Sequence, residues 1–325
     1  MKHIKLLYLF LLISWSSLPL QAADYLLQSP NGKLTVEIET KGQLSYTLKH
    51  NSQTLLDKSP IGLLLEDKIL GEDIKISRIK RNSSVKEHIV SPHYRLPSFE
   101  VTYNELNLKF KGNYGIIFRA YNEGIAYRFY TTMKGPLIIK DEMVQMNFPK
   151  DYPTFMSYST MPTGEDQYAM AFQNLYTKSS IKGVDTNNIA FLPITIDCGN
   201  ELKMTLLESD LEDYPGMFIK GDGKNTSLQG TFAHYPSEIK NFPPRAMKRI
   251  TKRTDYIART TGERNYPWRI WAITEKDTEM PVNNLVYALA SPNRIGDCSW
   301  IKTGKVAWDW WNDWGISDVD FKAGI

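Results

Sequence analysis

The chain has 325 residues, with 39 Lys+Arg against 36 Asp+Glu. Two of those lysines sit in an apparent leader, which leaves 37 against 36. This balance gives no basic surplus for nucleic acid or an anionic membrane surface. An aromatic content of 12%, with 8 Trp and 18 Tyr, suits an all-β core and also suits ring faces that stack on sugars.

Residues 1–23 read as a secretory signal peptide. Lys2, His3 and Lys5 make a basic start, Leu6 to Trp15 is almost wholly apolar, and Ser16 to Ala23 is small and turn-prone. Leu20-Gln-Ala22 and Gln21-Ala-Ala23 both offer a cleavage point. The apolar run is too short for a membrane span, and no Cys follows it to carry a lipid. The expectation is a secreted protein with no membrane anchor after cleavage; an uncleaved N-terminal anchor is the alternative.

Residues 24–295 read as one β domain. Leu34, Val36 and Ile38 alternate with Thr35, Glu37 and Glu39, and Leu44, Tyr46 and Leu48 with Ser45, Thr47 and Lys49. A period of two marks half-buried antiparallel strands. Asn31-Gly32 and Lys41-Gly42 supply turns, because Asn and Gly tolerate positive φ. Tyr114–Tyr121, Asn122-Glu-Gly124 and Ile125–Thr131 read as a hairpin. Further strands are predicted at Ile61–Leu65, Ile74–Ile79, Leu106–Phe110, Ile189–Ile196, Lys203–Leu207, Leu228–Phe232, Trp268–Thr274 and Leu285–Ala290. Pro149 to Pro162 and Phe242-Pro-Pro244 read as long loops. Many short strands with no long helical period between them predict a sandwich of two sheets.

The pattern changes in residues 296–325. Lys305-Val-Ala-Trp308 is continuously apolar after its lysine, as suits a strand buried on both faces of a parallel barrel. In such a barrel the site lies at the C-terminal ends of the strands, where Asp309, Trp310, Trp311 and Asn312 fall. The segment is expected to be the first strand of a truncated (β/α)8 barrel, a fold of about 250 residues. The chain therefore reads as the front part of a longer protein.

Four blocks in order, Gly115–Phe129, Leu207–Met217, Tyr266–Arg269 and Gly304–Asn312, resemble glycoside hydrolase family 97. The resemblance runs from about Asp24 onward. It implies a mainly β, large antiparallel β-super-sandwich, then a catalytic (β/α)8 barrel and a small C-terminal β domain. It implies a secreted bacterial exo-α-glycosidase, often periplasmic, acting on α-glucosides or α-galactosides, with calcium at the barrel mouth. The Trp-Asp-Trp-Trp-Asn block looks closer to the retaining, galactosidase-like branch. The resemblance matches Glu208 to a calcium-liganding Glu contributed by the β domain, most other ligands being expected beyond Ile325. The plain reading of Glu208, Asp210, Glu212 and Asp213 is a solvated acidic turn. The resemblance also makes Asp309, Trp310, Trp311 and Asn312 the lining of a sugar pocket: Trp offers a stacking face and Asp or Asn can hold vicinal hydroxyls.

Other features carry less. Arg119 and Arg128 could pair with Glu123, or simply cover a sheet edge. Cys198 and Cys298 could pair or stay free. His88 and His93 lack zinc spacing with any Cys, and no Gly-x-Ser-x-Gly elbow occurs. Glycoside hydrolysis needs two carboxyl groups flanking the scissile bond, and neither is assigned within residues 1–325. The chain alone is expected to be inactive and to pack against its missing barrel. The alternative is a free-standing carbohydrate-binding or scaffold module.

Overall fold

The computed structural model describes residues 24–91, 94–159, 166–169, 174–242, 247–302 and 304–305. The chain opens as an antiparallel meander of Tyr25–Gln28, Leu34–Glu39, Ser45–His50 and Gln53–Leu65. Leu34, Val36 and Ile38 are buried while their neighbours are half-buried, as the alternation predicts. The turn before Leu34 uses Gly32 at φ +74°, a left-handed conformation that costs glycine little.

Two long strands follow, Ile76–Val90 and Ser98–Phe110, paired along most of their length. The second pairs with Tyr114–Tyr121, which turns through Asn122 and Glu123 into Gly124–Asn147. This is the expected hairpin, but its second strand runs on for 24 residues. Gly124 is required there, because a Cβ would come within 2.3 Å of the Trp271 carbonyl oxygen.

That long strand changes partners as it goes. Residues 124–127 pair with Trp268–Thr274, residues 130–139 with Ala258–Asn265, residues 139–144 with Gln53–Leu65, and residues 145–147 with Ser227–Phe232. From Ser227–Phe232 the ladder passes to Met217–Gly221, then Ala190–Asp197, Lys203–Ser209 and Trp268–Thr274, and so back to the long strand. Six strands thus close into a ring. This corrects the expected two-sheet sandwich: among the described residues, 17 strands form one connected hydrogen-bonded set. Between its ring pairings the long strand also carries a bulge, a feature that bends a strand and increases its twist. The register slips between Thr261 and Glu263, opposite Pro136 and Thr132. Gly262 sits so close to the long strand that a Cβ would lie 2.5 Å from the carbonyl oxygens of Met133 and Gly135. A separate two-stranded hairpin, Pro236–Phe242 with Met247–Arg253, stands beside the ring.

The interior is filled by aromatic and aliphatic side chains. Tyr46, Phe118 and Tyr127 pack as a tilted trio with centroids 5.5–6.0 Å apart. Trp271, 1% exposed, donates its indole N–H to the Tyr46 hydroxyl at 3.0 Å. A second apolar cluster lies on the other face of Trp268–Thr274, under Leu285, Ala288 and Leu289. All seven residues of that strand are buried.

Two further expectations are corrected. Leu285–Leu289 is a short α-helix, not a strand, and buries Leu285, Ala288 and Leu289 at helical spacing. Short apolar runs do not distinguish the two by periodicity. Pro153–Tyr158 is a strand inside the expected Pro149–Pro162 loop, paired with Thr177–Ser180 and Ala190–Asp197. Cys198 and Cys298 are free, and burial pushes the Cys198 thiol up to about 12. No helix among the described residues is long and apolar enough to cross a membrane. The predicted barrel strand beyond Lys305 and the quartet Asp309, Trp310, Trp311 and Asn312 lie outside the described residues.

Candidate functional site at the Glu208 carboxylate

Glu208 is the penultimate residue of Lys203–Ser209, directly opposite Arg269 on Trp268–Thr274. Arg269 is 1% exposed, an arginine inside a fully buried strand whose other residues are apolar but for the terminal Thr274. A buried guanidinium needs partners for its charge and its N–H groups. The long strand supplies the first: Arg269 Nε and Nη2 donate to the two Glu142 oxygens at 2.9 and 2.7 Å. Its Nη1 donates to Glu208 Oε2 at 2.6 Å. The Phe232 ring lies 5.1 Å from the guanidinium carbon.

The three side chains are 1%, 4% and 13% exposed for Arg269, Glu142 and Glu208. Burial opposes the Arg269 charge, yet Glu142 and Glu208 hold its proton above the ordinary arginine range. Burial pushes the Glu208 carboxyl above the usual carboxylate range, against the pull of Arg269 and the Met217 N–H. Two carboxylates face one guanidinium, so the ionised triad carries one net negative charge.

The two Glu208 oxygens differ. Oε2 takes Arg269 and the Met217 N–H at 3.1 Å. Oε1 has only the longer 3.3 Å approach of the same N–H. The space beside Oε1 is left open by Gly216, where a Cβ would meet nothing but that oxygen, at 3.2 Å.

Two residues further on, the chain is clamped against Leu285–Leu289 and the residues just after it. Asp210 adopts φ +64° and accepts from Arg128 at 3.0 Å and from the Ser291 N–H at 3.1 Å. Ser209 donates to the Val286 carbonyl at 2.7 Å, and Glu212 pairs with Arg294 at 2.8 Å. The acidic segment is therefore not the solvated turn of the plain reading: Glu208 and Asp210 are paired and largely buried, while Glu212 and Asp213 are exposed. Arg119 and Arg128 do not take Glu123. They pair with Glu105 and Asp210 and flank Trp268, at 5.2 and 4.8 Å from its ring centroid.

A groove of about 1110 Å³ opens nearby, between the Met133–Pro136 bulge and the base of the separate hairpin. Tyr214, Tyr235, Arg253, Arg259 and Arg264 contribute to its walls.

The donor chemistry at Glu208 fits one arm of a calcium site. A carboxylate oxygen is a hard donor, Oε1 has room beside it, and the triad has a charge for a cation to offset. Calcium takes six to eight oxygens, and among the described residues no group of three or more His, Cys, Asp or Glu is placed to hold a metal. A calcium ion there would need further ligands besides those the described residues bring together. The sequence reading named Glu208 and passed over Arg269, which holds its carboxylate, and Glu142, which holds Arg269.

A family model described as glycosyl-hydrolase 97 N-terminal matches residues 27–292. A protein of Bacteroides thetaiotaomicron named retaining alpha-galactosidase is 37% identical over 329 aligned positions, covering 99% of this chain and 49% of that protein. A protein of Streptomyces bingchenggensis named "probable retaining alpha-galactosidase" is 23% identical, covering 86% of this chain and 39% of its own length. The chain thus spans half the length, or less, of these curated relatives. Among solved structures, a glycoside hydrolase family 97 enzyme of Pseudoalteromonas sp. in complex with acarbose superposes with a TM-score of 0.69 at 18% identity, over 86% of this chain and 40% of that one. A structure described as a beta-arabinopyranosidase gives a TM-score of 0.64 at 16% identity, over 78% and 40%. At these identities the structural likeness speaks for the fold. The family match and the 37% relative go further: this chain belongs to glycoside hydrolase family 97 and carries its N-terminal domain.

Proposed function

We propose that the chain is the N-terminal β domain of a secreted, calcium-dependent exo-α-glycosidase that hydrolyses α-galactosides, or α-glucosides, with retention. The observation that carries this is the 37% identity over 99% of the chain to a protein named retaining alpha-galactosidase. The leader-like residues 1–23 support secretion, into the periplasm of a bacterium.

In this reading the β domain holds and positions, and the bond-breaking carboxyl groups come from elsewhere in the longer protein. Bound calcium supplies a fixed positive charge near the sugar. Glu208 gives it one oxygen, Oε1, while Arg269 and the Met217 N–H hold Oε2 in place. Asp309, Trp310, Trp311 and Asn312 line the sugar pocket, the rings stacking on the sugar and the polar pair holding its hydroxyls. Retention needs two carboxyl groups about 5–5.5 Å apart, one acting as nucleophile and one as acid and then base.

The test uses the longer protein that contains this chain. With nitrophenyl α-galactoside, the first-formed free sugar should be the α-anomer by proton NMR, and chelator should slow turnover. A β-anomer as first product would remove the retaining assignment, and indifference to chelator would remove calcium. Residues 24–325 alone should not turn over nitrophenyl α-galactoside or α-glucoside; turnover would place catalytic carboxylates within this chain.

The groove beside the ring favours a second reading, a carbohydrate-binding or scaffold role for the β domain. Saturable binding of galacto-oligosaccharide by residues 24–295, lost on Tyr235→Ala, would support it.

A further inference from the structure

We infer that Glu142, acting through Arg269, is the positioning residue that keeps Glu208 available to a cation. The inference rests on the calcium reading above. The argument is one of geometry and charge. A guanidinium grips one carboxylate best along an edge, with two parallel N–H bonds. Arg269 gives such an edge, Nε and Nη2, to Glu142 at 2.9 and 2.7 Å. Glu208 receives a single end-on bond from Nη1, to Oε2 alone. Its Oε1 is thereby left facing the space that Gly216 keeps open.

A purely structural pairing has no need of the second acid. Arg269 and Glu208 would balance each other, as one charge against one. Adding Glu142 makes two acids to one base among side chains 1–13% exposed. The ion pairs of Glu142 and Glu208 among the described residues are all with Arg269. An unbalanced buried charge is costly unless something offsets it, and Oε1 is where an offsetting cation can reach. Glu142 thus does two things to Glu208: it occupies the Arg269 edge that would otherwise close over both Glu208 oxygens, and it keeps the cluster negative. Residues that orient a metal ligand in this way typically matter about 10- to 100-fold in metal affinity.

The experiment uses the longer protein carrying this chain, stripped of metal by chelation. Calcium chloride is titrated by calorimetry, and melting is recorded with and without calcium. Glu142→Gln is expected to raise the calcium Kd about 10- to 100-fold. Glu142→Asp keeps the charge and should stay within about threefold of wild type, on the same scale of second-sphere effects. A merely structural Glu142 would lower the metal-free melting temperature and leave the Kd unmoved; that result overturns the inference. Should the Gln variant fail to fold, Arg269→Lys decides: lysine keeps the charge but has no two-bond edge for Glu142, so the Kd should rise about tenfold or more, and an unmoved Kd overturns the inference. If the wild-type protein binds no calcium, the underlying reading falls and the inference with it. If wild type binds and Glu142→Gln binds equally, the inference alone falls.

Discussion

Two arginine clusters sit on opposite faces of the same strand, at neighbouring residues, and they are built differently. Outside the ring, Arg119 meets Glu105 at 2.9 Å and the half-exposed Glu87 at 3.9 Å, and Arg128 meets Asp210, with both guanidinium groups against Trp268. Inside, Arg269 alone meets Glu142 and Glu208. The outer cluster reaches solvent at Glu87 and, through Asp210 and the Ser291 N–H, ties the strand to the segment after Leu285–Leu289. The inner one is unbalanced and has an oxygen with space beside it. An extra acid that reaches water needs no exact partner; an extra acid on a buried arginine is a reason to look for a cation.

The comparison is broken most directly by Arg269→Ala. Two buried carboxylates would be left unpaired, and unfolding in urea should show a loss of about 3–5 kcal/mol. A loss below about 1 kcal/mol would mean the triad is not held as described. Asp210→Asn removes the charge that faces Arg128. It should cost about 1–3 kcal/mol by the same measurement and leave calcium affinity of the longer protein unchanged. A fall in affinity equal to that of a Glu208 variant would merge the two clusters into one functional unit.

Gly216→Ala sharpens the contrast. The new methyl would meet only Glu208 Oε1, so stability should move by less than about 1 kcal/mol, while calcium binding weakens about tenfold. Unchanged binding would show that Oε1 is not the oxygen used. The smallest effect is expected at Glu123, whose carboxyl burial pushes above its usual range. Folding then favours the protonated form, so this stabilisation is present below the unfolded pKa and is lost as pH rises through the folded one. Glu123→Gln should raise the melting temperature near pH 7 and not near pH 3, by scanning calorimetry. A gain equal at both pH values would point to packing instead.

How far the sequence could be read follows from the range of the forces involved. Strands such as Leu34–Glu39 and Tyr114–Tyr121 were legible because alternation is local. Closure of the ring was not, because it depends on residues 145–147 meeting residues 227–229, a pairing with no local sign. Leu285–Leu289 was misread as a strand because five apolar residues fit either period. At the site, Glu208 was reached through the resemblance of Leu207–Met217. Arg269 did carry a signal that reasoning passed over: a charged residue within Trp-Arg-Ile-Trp-Ala-Ile must find a buried partner. Glu142, next to Lys140 and Asp141, looks like a surface residue and gave none. The quartet Asp309 to Asn312 rests on its motif.

The most direct test of the account is a calcium titration of the longer protein, wild type against Glu208→Gln, followed by calorimetry with melting as a control for fold. The account predicts saturable calcium binding by wild type and its loss, by about 100-fold or more, in a folded Glu208→Gln variant. Equal binding by the two would contradict it, leaving the triad as a structural feature of the β domain.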